Sequence, residues 1–217
     1  EEETLSALLS FANKINWNIF WLSDVHSETS TASLLPSLLK AQKYSFTERK
    51  HTPCPYIELP ENFDVYKKSL SKNTRQNMTK FVNRVEKIEG ISHRVVTDSK
   101  EIAAAMKDFI NLHTLRWERE GQKGAISSQT TQDFHIEAAQ SLHKYLHLER
   151  LLIDKKVIAT TYSYDYNNNR YLYLPGMDPE YSYYSLGFVM IAYGIQNAIK
   201  NGIKTYDFMR GDEKYKY

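Results

Sequence analysis

The chain has one cysteine, Cys54, among its 217 residues. No disulfide can close within it and no cysteine-based metal site is available, which sets the expectation of a reducing, cytoplasmic setting. Long apolar runs are also missing: nothing approaches the roughly 18 residues that a membrane-spanning helix needs. Charge of one sign is scarce. With 28 Lys and Arg against 26 Asp and Glu, the net charge is +2 when the histidines are neutral. Such a near-balance excludes a strong overall field for nucleic acid and leaves only a local basic patch open. No tract is of low complexity. The opening Glu1-Glu2-Glu3-Thr4 is neither a signal peptide nor an initiator sequence, so the sequence is expected to be part of something longer. His26, His51, His93, His143 and His147 show no metal spacing with acidic partners. His143 and His147 are four apart, but two ligands do not make a site, and no metal is expected.

Aromatic residues, by contrast, are abundant at 13%, and sixteen of them are tyrosines. Tyrosine favours strands, and it can also line a groove for a sugar or nucleotide with its flat face and polar tip. Hydrophobic residues at 41% and charged residues at 25% are ordinary for a globular chain long enough to bury a core.

Apolar periodicity predicts helices over 5–15, 30–42, 71–89, 98–119, 132–146 and 186–201. Strands are predicted at 17–22, 44–49, 55–59, 91–97, 147–153, 157–166, 170–174 and 204–209. Asn167-Asn168-Asn169 has the composition of a hairpin turn, and Gly202 is placed to end the 186–201 helix. Prolines 53, 55 and 60 punctuate a domain junction, dividing 1–54 from 55–217. The element order predicts an α+β (mixed α/β) fold rather than a doubly wound one.

The segment from Tyr171 to Tyr217 is the most informative. A strand passes through Leu174, Pro175 and Gly176 into a tyrosine-rich linker and then a helix start. Pro175-Gly176 predicts a break or bulge in the ladder, with a simple turn as the alternative. Ser185 stands as the N-cap and Gly187 in the first turn, where free amides and the helix dipole favour a phosphate. His113, Arg116 and Trp117 share one helix face by their i, i+3, i+4 spacing. That face either holds an anionic acceptor, with His113 as a possible base, or packs Trp117 into the core with Arg116 paired to a carboxylate. The basic helix 71–87 is either a solvated face or a binding surface.

Four blocks carry a family resemblance: Ser71-Lys72-Asn73-Thr74-Arg75, Leu112-His113-Thr114-Leu115-Arg116-Trp117, Phe134-His135, and the run from Tyr206 to Lys216. They resemble the CelD-like branch of the GNAT superfamily of acyltransferases, associated with exopolysaccharide and cellulose loci, over about residues 55 to 217. The resemblance reaches more weakly to the Fem-type peptidyl transferases, which have two GNAT-like halves and use aminoacyl-tRNA; residues 1–54 would then be part of a first half. It implies a central mixed sheet flanked by helices, coenzyme A or acetyl-CoA as acyl donor, and a small-molecule or glycan acceptor such as an amino-sugar. It also implies catalytic roles for Asp212, Tyr215 and His135. Donor contacts fall on Leu174, Gly176, Ser185, Gly187, Phe188 and Lys216, and acceptor contacts on Arg75, His113, Arg116 and Arg210. The family's phosphate loop, Q/R-x-x-G-x-G/A, is reduced here to Ser182-x-x-Ser185-x-Gly187. That departure motivates a third reading, a non-catalytic GNAT-like module.

Overall fold

A computed structural model describes residues 1–50 and 52–212. The chain divides into two compact units, Glu1–Thr52 and Pro53–Tyr217. In the first, α1 (Glu2–Ala12) and α2 (Ser30–Ala41) pack on each other. Thr29 caps α2 by accepting from the Ala32 amide at 3.3 Å. The strands expected at 17–22 and 44–49 do not form. Their β-favouring residues find no ladder in this unit. The Trp17 indole instead donates to the Ala12 carbonyl at 3.0 Å and its ring packs near Phe20 and Tyr44, closing the end of α1.

The second unit holds a six-stranded sheet: β1 (Tyr56–Glu58), β2 (Ile91–Val95), β3 (Leu146–Ile153), β4 (Lys156–Tyr166), β5 (Asn169–Met177) and β6 (Thr205–Asp207). The spatial order is β1-β6-β5-β4-β3-β2, antiparallel throughout except for the parallel β5–β6 pair. Around it run α3 (Phe63–Ser69), α4 (Lys72–Glu86), α5 (Ile102–Arg119), α6 (Gln129–Ser141) and α7 (Leu186–Lys200). Local chemistry sets many of the ends. Asn62, Ser71 and Ser128 each accept an amide bond at the start of α3, α4 and α6. Asn167 and Asn168, both at positive φ, form the β4–β5 turn, whose backbone twist matches the paired strands. Gly202 at φ 75° closes α7, with the Ile203 amide reaching back to the Ala198 carbonyl at 3.0 Å. The short α3 was not anticipated, and α6 begins three residues earlier than expected.

The sheet is buried on both faces. Leu148 on β3 and Tyr162 on β4 join Met106, Phe109 and Ala139 of α5 and α6. Leu151 and Ile158 join Val189 and Met190 of α7 and Val85 of α4. Leu148 and Leu151 are three apart on one strand, so pleating sends them to opposite faces. Two glycines bring helices onto the strands. A Cβ on Gly176 would lie 3.0 Å from the Phe109 carbonyl of α5, and one on Gly194 of α7 would lie 2.8 Å from the Tyr206 hydroxyl. No helix among the described residues is long and apolar enough to cross a membrane.

Candidate active site

β5 and β6 are paired only from Asn169 to Tyr171. Past Tyr171, β5 runs on to Met177 still paired with β4, while the chain after β6 turns toward Pro55, whose carbonyl accepts the Phe208 amide at 3.0 Å. Residues 172–177 of β5 therefore have no ladder on the β6 side among the described residues, and the parallel pair splays open.

A bulge sits at the mouth of this splay. The register with β4 shifts between Tyr162–Leu174 and Ser163–Leu172, leaving Tyr173 without a partner. Leu172 packs in the α7-side core, whereas Tyr173 contacts Tyr162 and His135, and Leu174 packs with the α5–α6 cluster. The extra residue thus puts two consecutive side chains on the same face. The break expected at Pro175-Gly176 is elsewhere: both continue the ladder, opposite Thr161 and Thr160. The reason lies in the pleat. The Asp178 amide donates to the Ile158 carbonyl on the β4 side, so alternation turns the backbone groups of Pro175 and Met177 toward the splay. A proline there forfeits no ladder bond, and the Met177 N–H is the donor that alternation aims into the gap.

Above β5 lies a ring cluster drawn from four elements. His113 of α5 is 2% exposed, and its Nδ1–H donates to the Pro175 carbonyl at 3.1 Å. Because a carbonyl only accepts, that bond fixes the tautomer and leaves Nε2 as a lone-pair acceptor. Nε2 is buried and has no hydrogen-bond partner, as is the Trp117 indole N–H one turn on, and Gly124 lies close over both. Burial pushes the His113 imidazole below its ordinary value; the Pro175 bond opposes this and the Arg116 charge adds to it. His135 of α6 is also buried, with Phe134, Tyr162 and Tyr173 around its ring. Burial and then the charge of His113 lower its pKa in turn. The Tyr162 and Tyr164 hydroxyls are bonded to each other at 2.6 Å, and burial raises both phenols, keeping them protonated. The structure therefore gathers two neutral imidazoles and three tyrosines beside the bulge.

The turn after β5 is a 3-10 segment, Pro179–Tyr184, ending in Ser185. Ser185 is the N-cap residue of α7, as expected; it lies in the left-handed region (φ 53°, ψ 45°) and its side chain makes no capping bond. A right-handed turn followed by one left-handed residue makes a concave nest of amides, which is anion-binding geometry. The Phe188 and Val189 amides return to the Ser185 carbonyl, leaving those of Leu186 and Gly187 at the open helix end. The closeness that Gly187 permits is to Met177, whose sulfur would lie 2.9 Å from an added Cβ. Phe188 packs its ring edgewise on Phe81 of α4.

Other expected site residues are scattered. Arg75 donates to the Lys67 and Lys68 carbonyls, covering the end of α3. Arg116 lies 3.6 Å from Glu120 and beside the Trp117 ring. Asp212 is exposed at the edge of the described residues, and Arg210 is exposed with a partner of its own. Tyr215 and Lys216 lie outside the described residues.

Sequence reading missed the roles of Tyr162, Tyr164 and Tyr173. The tyrosine excess was the available signal, and the alternation of Tyr162 and Tyr164 along β4 could have put both on one face. It also missed a buried ionic network beneath α7. Arg170 is 1% exposed; it grips Asp165 with two bonds of 2.8 and 2.7 Å and donates to the Gly194 carbonyl and Asn197 at 3.1 Å each. Glu149, also 1% exposed, accepts from His147 at 2.8 Å and Thr161 at 3.1 Å, with His93 at 3.7 Å and Arg170 at 3.9 Å.

A family profile described as an acetyltransferase (GNAT) domain matches residues 72–217. No curated protein matches the sequence. Among solved structures, that of FemX superposes with a TM-score of 0.65 at 14% identity, covering 99% of this chain and 69% of that one. A conserved protein of unknown function from Bacteroides thetaiotaomicron gives 0.58 at 14% identity, covering 85% of this chain and 60% of that one. The L-PGS structure from Bacillus licheniformis gives 0.52 at 13%, covering 81% and 49% respectively. These likenesses are of fold. The profile spans more than half of the chain, taking in the splayed pair, the bulge and the nest before α7, and on that match the protein belongs to the GNAT acetyltransferase family.

Proposed function

We propose that this chain transfers an acyl group from a coenzyme A thioester to an amine or hydroxyl of a sugar or amino-sugar, in exopolysaccharide or cell-envelope metabolism. The observation that carries this is the opening between β5 and β6, with an amide nest at one end and a neutral, tautomer-fixed histidine beside it. The Leu186 and Gly187 amides with the α7 dipole would hold the donor's pyrophosphate. The thioester arm would lie along β5, where the Met177 N–H faces the carbonyl oxygen and stabilises the charge that develops there.

His113 Nε2 takes the proton of the acceptor nitrogen or oxygen as that atom attacks the carbonyl carbon. The tetrahedral adduct collapses, the C–S bond breaks, and the thiolate takes a proton. We assign that proton to the Tyr215 phenol, and contact with the acceptor to Asp212, both as the family resemblance implies. His135 and Tyr173 line the approach of the acceptor at the bulge.

The test is release of free coenzyme A thiol from acetyl-CoA with glucosamine or a neutral sugar as acceptor. Acceptor-dependent release is expected. Absence of release, together with no change in melting temperature at millimolar coenzyme A, would sink the proposal. The FemX-like fold favours one second reading, an aminoacyl-tRNA donor. That reading requires a tRNA complex at low salt whose affinity falls steeply as salt rises.

A further inference from the structure

We propose that a cavity between α4 and the turn entering α7 binds the phosphorylated nucleoside end of the donor, with Lys80, Arg84 and Lys87 reading a phosphate separate from the pyrophosphate. This rests on the coenzyme A reading above. The cavity has a volume of about 460 Å³ and is lined by those three cations together with Asn83, Tyr183 and Tyr184. Lys80, Arg84 and Lys87 are spaced i, i+4, i+7, so they project from one face of the helix and its C-terminal end. In a chain whose net charge is only +2, that concentration is local. Neither lysine enters an ion pair among the described residues.

The arginine is already held in place. Its Nη1 donates to the Tyr183 carbonyl at 2.8 Å, and the guanidinium sits 4.2 Å from the Tyr183 ring centroid. Little of its freedom remains to be lost when an anion arrives. Tyr183 is still 69% exposed, leaving aromatic surface on which a purine can stack, and the Asn83 amide offers both a donor and an acceptor to a base edge. Position matters most. Tyr183 and Tyr184 lead directly into Ser185, so one ligand can lay its pyrophosphate on the α7 amides and its nucleoside against α4. The size suits a mononucleotide. A polynucleotide would need a longer cationic track.

The experiment is calorimetric titration of the whole chain with coenzyme A and with dephospho-coenzyme A, which lacks only the 3′-phosphate. The wild type is expected to bind dephospho-coenzyme A about tenfold more weakly, a difference of about 1.4 kcal/mol. The exposed pair Lys80→Gln with Lys87→Gln should erase that difference, binding both ligands as the wild type binds the dephospho form. Equal affinity of the wild type for both ligands overturns the inference and leaves the donor reading standing. Binding of neither ligand overturns both. Binding of a single-stranded RNA that the double variant abolishes, with the ratio between the two coenzyme forms unchanged, also overturns it and gives the cavity to nucleic acid.

Discussion

At the scale of single residues, His113 decides most. Its Nδ1–H is committed to the Pro175 carbonyl and its Nε2 is unpartnered, so the imidazole is ready to accept a proton. Replacing it, as in His113→Gln, should lower kcat/KM for acyl transfer by about 10²- to 10⁴-fold, the usual worth of a positioned general base, with the fold retained by circular dichroism. The pH profile carries a sign. Burial lowers the His113 pKa from 6.5, so the base stays neutral somewhat below that value, and activity should fall only as pH drops through the lowered pKa. An acid limb centred above 6.5 would contradict the assignment. Spacing along α5 already put His113 on a shared face with Arg116 and Trp117. The carbonyl that orients it lies 62 residues away, and no local pattern announces such a pairing.

At the scale of elements, the site is the product of one bulge and one close approach. The bulge turns Tyr173 and Leu174 to the same face, and the bare Cα of Gly176 lets α5 lie against β5. A Cβ at Gly176 would meet the Thr160 hydroxyl at 2.8 Å, the Phe109 carbonyl at 3.0 Å and the His113 amide nitrogen at 3.1 Å. Two of those three are helix backbone and cannot rotate away. Gly176→Ala should therefore cost about 1–3 kcal/mol of stability, read as a lower urea midpoint, and should reduce transfer by moving His113 off Pro175. A variant with unchanged midpoint and unchanged rate would show that α5 does not depend on that contact. Pro175-Gly176 was visible as unusual strand chemistry. The bulge came two residues earlier because pleat alternation lets a proline stand on the splayed side, and alternation depends on which neighbouring strand is paired.

At the scale of the molecule, the sheet-bearing unit is tied together through charges beneath α7. Arg170 bridges Asp165 on β4 to the Gly194 carbonyl and Asn197 on the helix. Arg170→Met would leave the Asp165 and Glu149 carboxylates without their buried cation, and should cost about 3–5 kcal/mol in equilibrium unfolding. Glu149 adds an acid sensitivity. Burial alone would raise its pKa, but the His147 bond and the nearby His93 outweigh that and hold it at about 2, against an ordinary 4.5. A carboxylate with a depressed folded pKa contributes stability that is complete above 4.5 and is lost as pH falls from there toward about 2. Glu149→Gln should flatten the decline of melting temperature across that window; an unchanged slope would place the acid sensitivity elsewhere.

Taken alone, the sequence determined what acts within a few residues. Ser71 and Gly202 marked helix ends, the Asn167-Asn168 turn marked the hairpin, and periodicity marked α4, α5, α7 and the strands β3 and β4. Only the tertiary structure decided what needs a distant partner: the strands that did not form at 17–22 and 44–49, the bulge at Tyr173, the tautomer of His113 and the network around Arg170. Caps and turns are satisfied by the chain's own neighbouring amides. A ladder, a buried charge or an orphaned imidazole is settled by whichever groups the folded core brings to it from far along the chain.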